Sequence, residues 1–170
     1  MRVAALFTRK RSSYLAIPGV DCFDASRDAL TFGLDCPVVA HPPCRAWGKL
    51  AQFAKPRPGE RDLAHWAVHV VRFCGGVLEH PLSSRLWREI GCGSFGVRDQ
   101  FGGVLVPVRQ SAYGHLAQKD TGLYIVGPVP ELAFPDAPAL RLIESMCRAS
   151  REATPPEFGV FLVNTARACA

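Results

Sequence analysis

Short apolar runs alternate along this chain with stretches of helical periodicity, and that alternation constrains the fold more than any other feature. Strands and helices in such an order build a sheet covered by helices, an α/β architecture. Residues 2–7 read as a first strand, 19–25 as a second that ends in an acidic residue, and 37–40 as a third. Val77-Leu78 reads as a short buried strand running into Glu79-His80-Pro81, with two further strands at 104–108 and 122–127. A length of 170 residues suits one domain over residues 1–170, since a single core commonly serves chains of this size.

The clearest helix carries Leu63, Trp66, Ala67, Val70, Val71 and Cys74 at helical spacing, with His65, His69 and Arg72 between them. Gly75-Gly76 ends it, as glycine tolerates the backbone of a helix stop. A weaker helix is expected from about Ala137 to Ala149. The last helix opens on Thr154-Pro155-Pro156-Glu157, which reads as a capping box with proline in the first turn. Its buried face would hold Phe158, Phe161, Leu162, Thr165, Ala166 and Cys169. Between Arg45 and Glu60, glycines, prolines and basic residues mark a long polar loop, and Gln110 to His115 reads as a second loop.

Composition narrows the function classes. Hydrophobic residues make up 48% and charged residues 21%, a globular rather than disordered balance. No apolar run approaches the roughly 20 residues needed to cross a bilayer. The start lacks a signal-peptide cleavage site, so a cytoplasmic location is expected. A net charge of +5 favours a polyanionic partner, with basic residues at Arg9-Lys10-Arg11 and at Lys49, Lys55, Arg57 and Arg61, although a solvated basic face also accounts for them. Seven cysteines, an odd number, argue against a disulfide framework. No metal is expected: Cys36, His41 and Cys44 straddle Pro42-Pro43, a poor zinc knuckle, and His65 and His69 share a face without an acidic or cysteine partner.

A parallel sheet binds ligands outside the carboxyl ends of its strands. Cys44 and Glu79 each follow such an end, so both are expected to face one crevice. Taken alone, Cys44 also suits a buried structural cysteine after a turn, Glu79 a strand cap or arginine partner, and Lys119 a surface charge.

Four features then occur in one order. Pro42-Pro43-Cys44 follows an apolar strand, and Glu79 ends the next. Ser111-Ala112-Tyr113-Gly114 leads through Gln118-Lys119 to Tyr124-Ile125-Val126-Gly127, and Ala153-Thr154-Pro155-Pro156-Glu157-Phe158 opens the terminal helix. This order resembles the DNA cytosine-5 methyltransferases over about Asp35 to Ala170, with residues 82–103 unplaced. It is also similar to small phage proteins described as methylase-like, which implies the cytoplasm of a host cell.

The resemblance implies a Rossmann-like methyltransferase domain with a reduced, mostly parallel sheet. It implies modification of a pyrimidine in DNA, cytosine in the family, with Cys44 as the thiolate that adds to carbon 6. Glu79 matches the carboxylate that holds and protonates ring nitrogen 3, and Lys119, with Gln118, the basic motif at the target base. Arg45 or Lys49 would help ionise Cys44, and Arg45, Lys49, Lys55, Arg57 and Gln118 would contact DNA, with the base flipped out or single-stranded. S-adenosylmethionine would be the methyl donor, held by Phe7, Asp24 (or Asp28), Pro43, Thr154 and Pro156.

The chain departs from that pattern. The family's glycine-rich cofactor loop is matched by Phe7-Thr8-Arg9-Lys10-Arg11-Ser12-Ser13-Tyr14, which has no glycine. Its basic residues suit a phosphate instead. Only 36 residues, positions 8 to 43, separate the first strand from Cys44. No target-recognition domain fits between Gly127 and Thr154, so specificity would be slight or come from a partner protein. Two alternatives therefore stand beside DNA modification: an enzyme acting on free pyrimidine nucleotides with a different donor, and a non-catalytic DNA-binding relic.

Overall fold

The computed structural model describes residues 1–49, 51–132 and 139–169. Six strands form one sheet: β1 (Val3–Leu6), β2 (Val20–Phe23), β3 (Val38–Ala40), β4 (Gly76–Pro81), β5 (Gly103–Arg109) and β6 (Asp120–Val126), in the order β2-β1-β3-β4-β6-β5. The first four pair in parallel, while β6 runs antiparallel between β4 and β5. Five strands thus point one way and β6 the other. The chain leaves β1 for β2 on one side and returns to β3 on the other, which makes the β1/β3 boundary the point where strand order reverses. A crevice opens at such a point in α/β sheets.

Side chains alternate across the strands, so each face meets its own core. Ala4, Leu6, Val38, Ala40, Leu78 and Tyr124 share a buried cluster with Ala64, Ala67, Val68 and Val71 of α1 (Asp62–Cys74). Val3, Ala5, Val39, Val77, Leu123 and Ile125 meet Phe158, Leu162, Val163 and Ala166 of α4 (Pro156–Arg167). The sheet is therefore covered by one long helix on each side. Among the described residues the other two α-helices, α2 (Leu86–Glu89) and α3 (Arg148–Glu152), are short. Between the first three strands the chain makes only 3-10 turns, at Ser13–Ala16 and Ala29–Thr31.

Several elements differ from the sequence reading. Strand β4 runs on to Pro81, so Glu79 lies within it, opposite Leu123 of β6. It lies beyond the parallel ladder with β3, whose last pair is Ala40 with Leu78. The buried face of α1 turns toward Ala64 and Val68, leaving Leu63 and Trp66 partly covered. At the other end of α4 there is no capping box: the helix starts at Pro156, its cap is Pro155, and no side chain bonds the free amides. The two prolines push Thr154 one residue too far out to cap. The expected helix from Ala137 falls partly outside the described residues; within them its course holds a 3-10 turn at Ile143–Ser145 and the start of α3. The polar loop after Cys44 is tied down rather than loose, because Trp47 is fully buried and its carbonyl accepts from the Arg85 amide at 3.0 Å.

Gly75 and Gly76 carry φ of +75° and +121°. A Cβ on Gly76 would sit 2.1 Å from the Val38 carbonyl oxygen, so only glycine lets β4 lie against β3 there. That contact fixes where β4 begins, and with it the depth at which Glu79 emerges.

Candidate active site

At the β1/β3 crevice the chain forms a cavity of about 680 Å³. It is lined by Phe7 to Arg9 and Arg11 to Tyr14, by His41 to Arg45, by Glu79 to Pro81 with Lys119, and by Arg151 to Thr154. Arg9 Nη1 donates to the Ala149 carbonyl at 2.8 Å and Ser13 Oγ to the Thr154 carbonyl at 3.2 Å, which ties the β1–β2 loop to the segment ahead of α4.

Of the residues singled out from the sequence, this cavity collects Cys44, Glu79, Lys119, Phe7, Pro43, Thr154, Arg45 and Lys55. Six others lie outside its lining. Asp24 uses Oδ1 to accept from the Ser26 amide and hydroxyl and from the Arg27 amide, a turn-forming role. Asp28 accepts from the Leu30 amide in the same manner. Pro156 is exposed at the start of α4, and Lys49 and Arg57 are exposed on the loop after Cys44. Gln118 bonds Asp120 and lines a neighbouring hollow that shares Glu79 and Lys119 with the main cavity. Arg45 pairs with the buried Glu60 at 2.6 Å. His65 faces Glu89 at 3.4 Å and stacks edge-on with Trp47, whereas His69 is exposed. Among the described residues no group of three or more His, Cys, Asp or Glu side chains is arranged to hold a metal ion.

A polar chain crosses the cavity wall. The Tyr14 hydroxyl lies 2.7 Å from His41 Nε2, and His41 Nδ1 lies 2.9 Å from Glu79 Oε2. Gln110 Nε2 donates to Glu79 Oε1 and to Thr121 Oγ1, each at 3.0 Å, and Thr121 donates to the Lys119 carbonyl at 3.1 Å. Burial alone would lift the Glu79 carboxyl; the His41 hydrogen bond and the charges of Lys119 and His41 outweigh it and hold the group down at about 2. Glu79 is therefore ionised at neutral pH and is a poor proton donor, unlike the role the family resemblance implies for it. Burial, then the charge of Glu79, raise the Tyr14 phenol well above its ordinary range.

Cys44 presents its thiol at the mouth of this wall. Although exposed, it stands in a concavity whose atoms displace water, so desolvation and then the charge of Glu79 push the thiol up, while Lys119 pulls it down. Lys49 lies outside the cavity lining, and the backbone amide of Cys44 itself also favours the thiolate. His80, 1% exposed, lies on the opposite side of β4, edge-on to Trp87. Burial pushes its imidazole down to about 4, so it is neutral.

The sequence marks Tyr14, His41 and Gln110 only as loop residues or as part of a weak zinc pattern. Their signal is faint: His41 follows directly on an apolar run and Gln110 directly on a strand, Tyr14 lies in the polar loop after the first strand, and the three segments meet only once the sheet is assembled. No protein-family model matches the chain, and no curated protein matches it.

Proposed function

We propose that this protein modifies a pyrimidine base in DNA through a transient bond from Cys44 Sγ to carbon 6 of the ring. The observation that carries this reading is the meeting of Cys44 and Glu79 in one cavity at the strand-order reversal, beneath a rim of cations. Arg9, Arg11, Lys55, Lys119 and Arg151 line that cavity together with Glu79 and Glu152, a cationic excess suited to phosphate. The strand order and mostly parallel sheet are compatible with a reduced Rossmann-like methyltransferase domain.

Chemically, the Cys44 thiolate donates a pair to carbon 6, and the carbon 5–carbon 6 π pair shifts onto carbon 5. Carbon 5 then bonds to an electrophilic group, whose bond to its donor breaks with the pair departing on the donor. Loss of the carbon 5 proton to solvent restores the double bond as the carbon–sulfur pair returns to Cys44. Glu79 orients the ring edge, and the cations hold the backbone.

The lining does not fit S-adenosylmethionine. Asp24 is outside it, residues 7–14 after β1 hold no glycine, and a sulfonium cation would meet the same positive rim that favours phosphate. The donor of the electrophile is accordingly of another kind. A free pyrimidine nucleotide is the second reading, favoured by a cavity of about 680 Å³, within the size of small-ligand pockets.

The test is intact-protein mass after incubation with single-stranded oligonucleotides carrying one 5-azacytosine or 5-azauracil, whose ring nitrogen makes carbon 6 more electrophilic. A product equal to protein plus oligonucleotide with native protein, and none with Cys44→Ser, is expected. Adducts on the matching free nucleotides alone would favour the second reading, and no adduct at all would leave a DNA-binding role without chemistry.

A further inference from the structure

The hydrogen-bond chain around Glu79 fixes its polarity atom by atom. Thr121 spends its hydroxyl proton on the Lys119 carbonyl, so Thr121 Oγ1 must accept, and Gln110 must present its amide nitrogen there. The second proton of that same nitrogen then points at Glu79 Oε1, 3.0 Å away. On the other side, Glu79 is ionised and holds no proton, so its Oε2 accepts from the His41 Nδ1–H, 2.9 Å away. Both carboxylate oxygens are therefore acceptors. Gln110 is only 1% exposed, which leaves it little freedom to turn over. A carboxylate offers about four acceptor positions, of which two are filled from within the protein. Glu79, 14% exposed and lining the cavity, has the remainder to offer a ligand.

We infer that the site takes a uracil-type pyrimidine ring, one that presents a ring N3–H to Glu79, in preference to cytosine. This rests on the reading of the cavity as a pyrimidine site. Neutral uracil and thymine carry a proton on ring nitrogen 3 and can donate it to Glu79. Neutral cytosine carries a lone pair there, which would face the carboxylate, and only its exocyclic amine could donate. A site built around a fixed acceptor rejects a ligand that lacks the matching donor, because a buried group is left unpaired. Flipped or single-stranded bases are read at this edge.

The experiment is competition binding with single-stranded adenine oligonucleotides carrying one central deoxyuridine, 3-methyldeoxyuridine or deoxycytidine, against an all-adenine strand that measures backbone affinity alone. Deoxyuridine is expected to bind about tenfold or more tighter than deoxycytidine, and methylation of nitrogen 3 to remove that gain, since a lost hydrogen bond to a charged group is worth about 1.5–3 kcal/mol. Glu79→Gln, whose amide can also donate, is expected to narrow or reverse the preference. The ligand series needs no variant, so it stands if that substitution prevents folding. Equal binding of deoxyuridine and deoxycytidine, tighter deoxycytidine, or indifference to the 3-methyl group would overturn the inference while leaving a pyrimidine site intact. No pyrimidine exceeding the all-adenine strand would overturn both.

Discussion

Cys44 sits between Glu79, which disfavours its thiolate, and Lys119, which favours it, in a concavity that already penalises charge. Its reactivity should therefore rise with pH rather than peak near neutrality. Below the raised thiol value, each unit of pH multiplies the thiolate fraction by about ten, and carbon 5 exchange catalysed through Cys44 should climb accordingly to beyond pH 9. Lys119→Met removes a charge that favours the thiolate, so the same profile should shift to higher pH, with slower exchange at any pH below its plateau. A profile that stays put in Lys119→Met would show that the lysine does not act on the thiol. Cys44 and Glu79 are legible in the sequence because each follows an apolar strand run, whereas Lys119 enters only through the family resemblance. The ionised state of Glu79 is not legible, because it depends on His41 and Lys119, 38 and 40 positions away along the chain.

At the scale of elements, the latter half of the segment without a family counterpart, residues 90–103, is held by a largely buried network. Arg72 of α1 donates from Nη2 to Asp99 Oδ2 at 2.9 Å and to the Ile90 carbonyl at 3.0 Å, and from Nε to the Tyr124 hydroxyl at 2.9 Å. Tyr124 in turn donates to Asp99 at 2.7 Å, and Asp99 Oδ1 takes the amides of Phe101 and Gly103 at 2.9 Å each. Arg72 also lies 4.0 Å over the Phe101 ring. Asp99→Ala strands the guanidinium and two amides, so it should cost about 3–5 kcal/mol in urea unfolding. Amides of 90–103 should lose hydrogen-exchange protection first. A loss below about 1 kcal/mol would mean the loop is held by packing alone. Nothing local signals this arrangement: Arg72 reads as an ordinary polar position on α1, and Asp99 lies in the stretch without a recognisable motif. The strands were readable because burial on both faces writes long apolar runs. The missing capping box shows the converse, since a four-residue motif cannot reveal which residue the helix starts on.

For the whole molecule, two buried groups on successive positions of β4 set the acid limit of the fold. The His80 imidazole is held down at about 4 by burial and Glu79 at about 2 by its partners. Each is depressed in the folded state, so the unfolded chain binds more protons. The stability each contributes is complete above its unfolded value, about 6.5 for histidine and 4.3 for glutamate, and is lost as pH falls toward the folded value. Unfolding free energy should thus decline from about pH 6.5 to 4 through His80 and from about 4.3 to 2 through Glu79. His80→Phe should flatten the first part of the decline without touching the second. An unchanged slope between pH 4 and 6.5 in that variant would place the titration elsewhere. Burial thus keeps His80 neutral, while its hydrogen-bond and charge partners keep Glu79 ionised, at the pH where the cavity would work.

The central claim is that Cys44 adds reversibly to carbon 6 of a pyrimidine. Exchange of the carbon 5 hydrogen tests it most directly, because addition makes carbon 5 basic whatever the donor. A single-stranded oligonucleotide with one deoxyuridine or deoxycytidine, incubated with the protein in D2O and followed by proton NMR, should lose its carbon 5 proton resonance. The loss should be faster than with buffer alone and should vanish with Cys44→Ser. Exchange at the buffer rate with native protein, or equal exchange in Cys44→Ser, would contradict it.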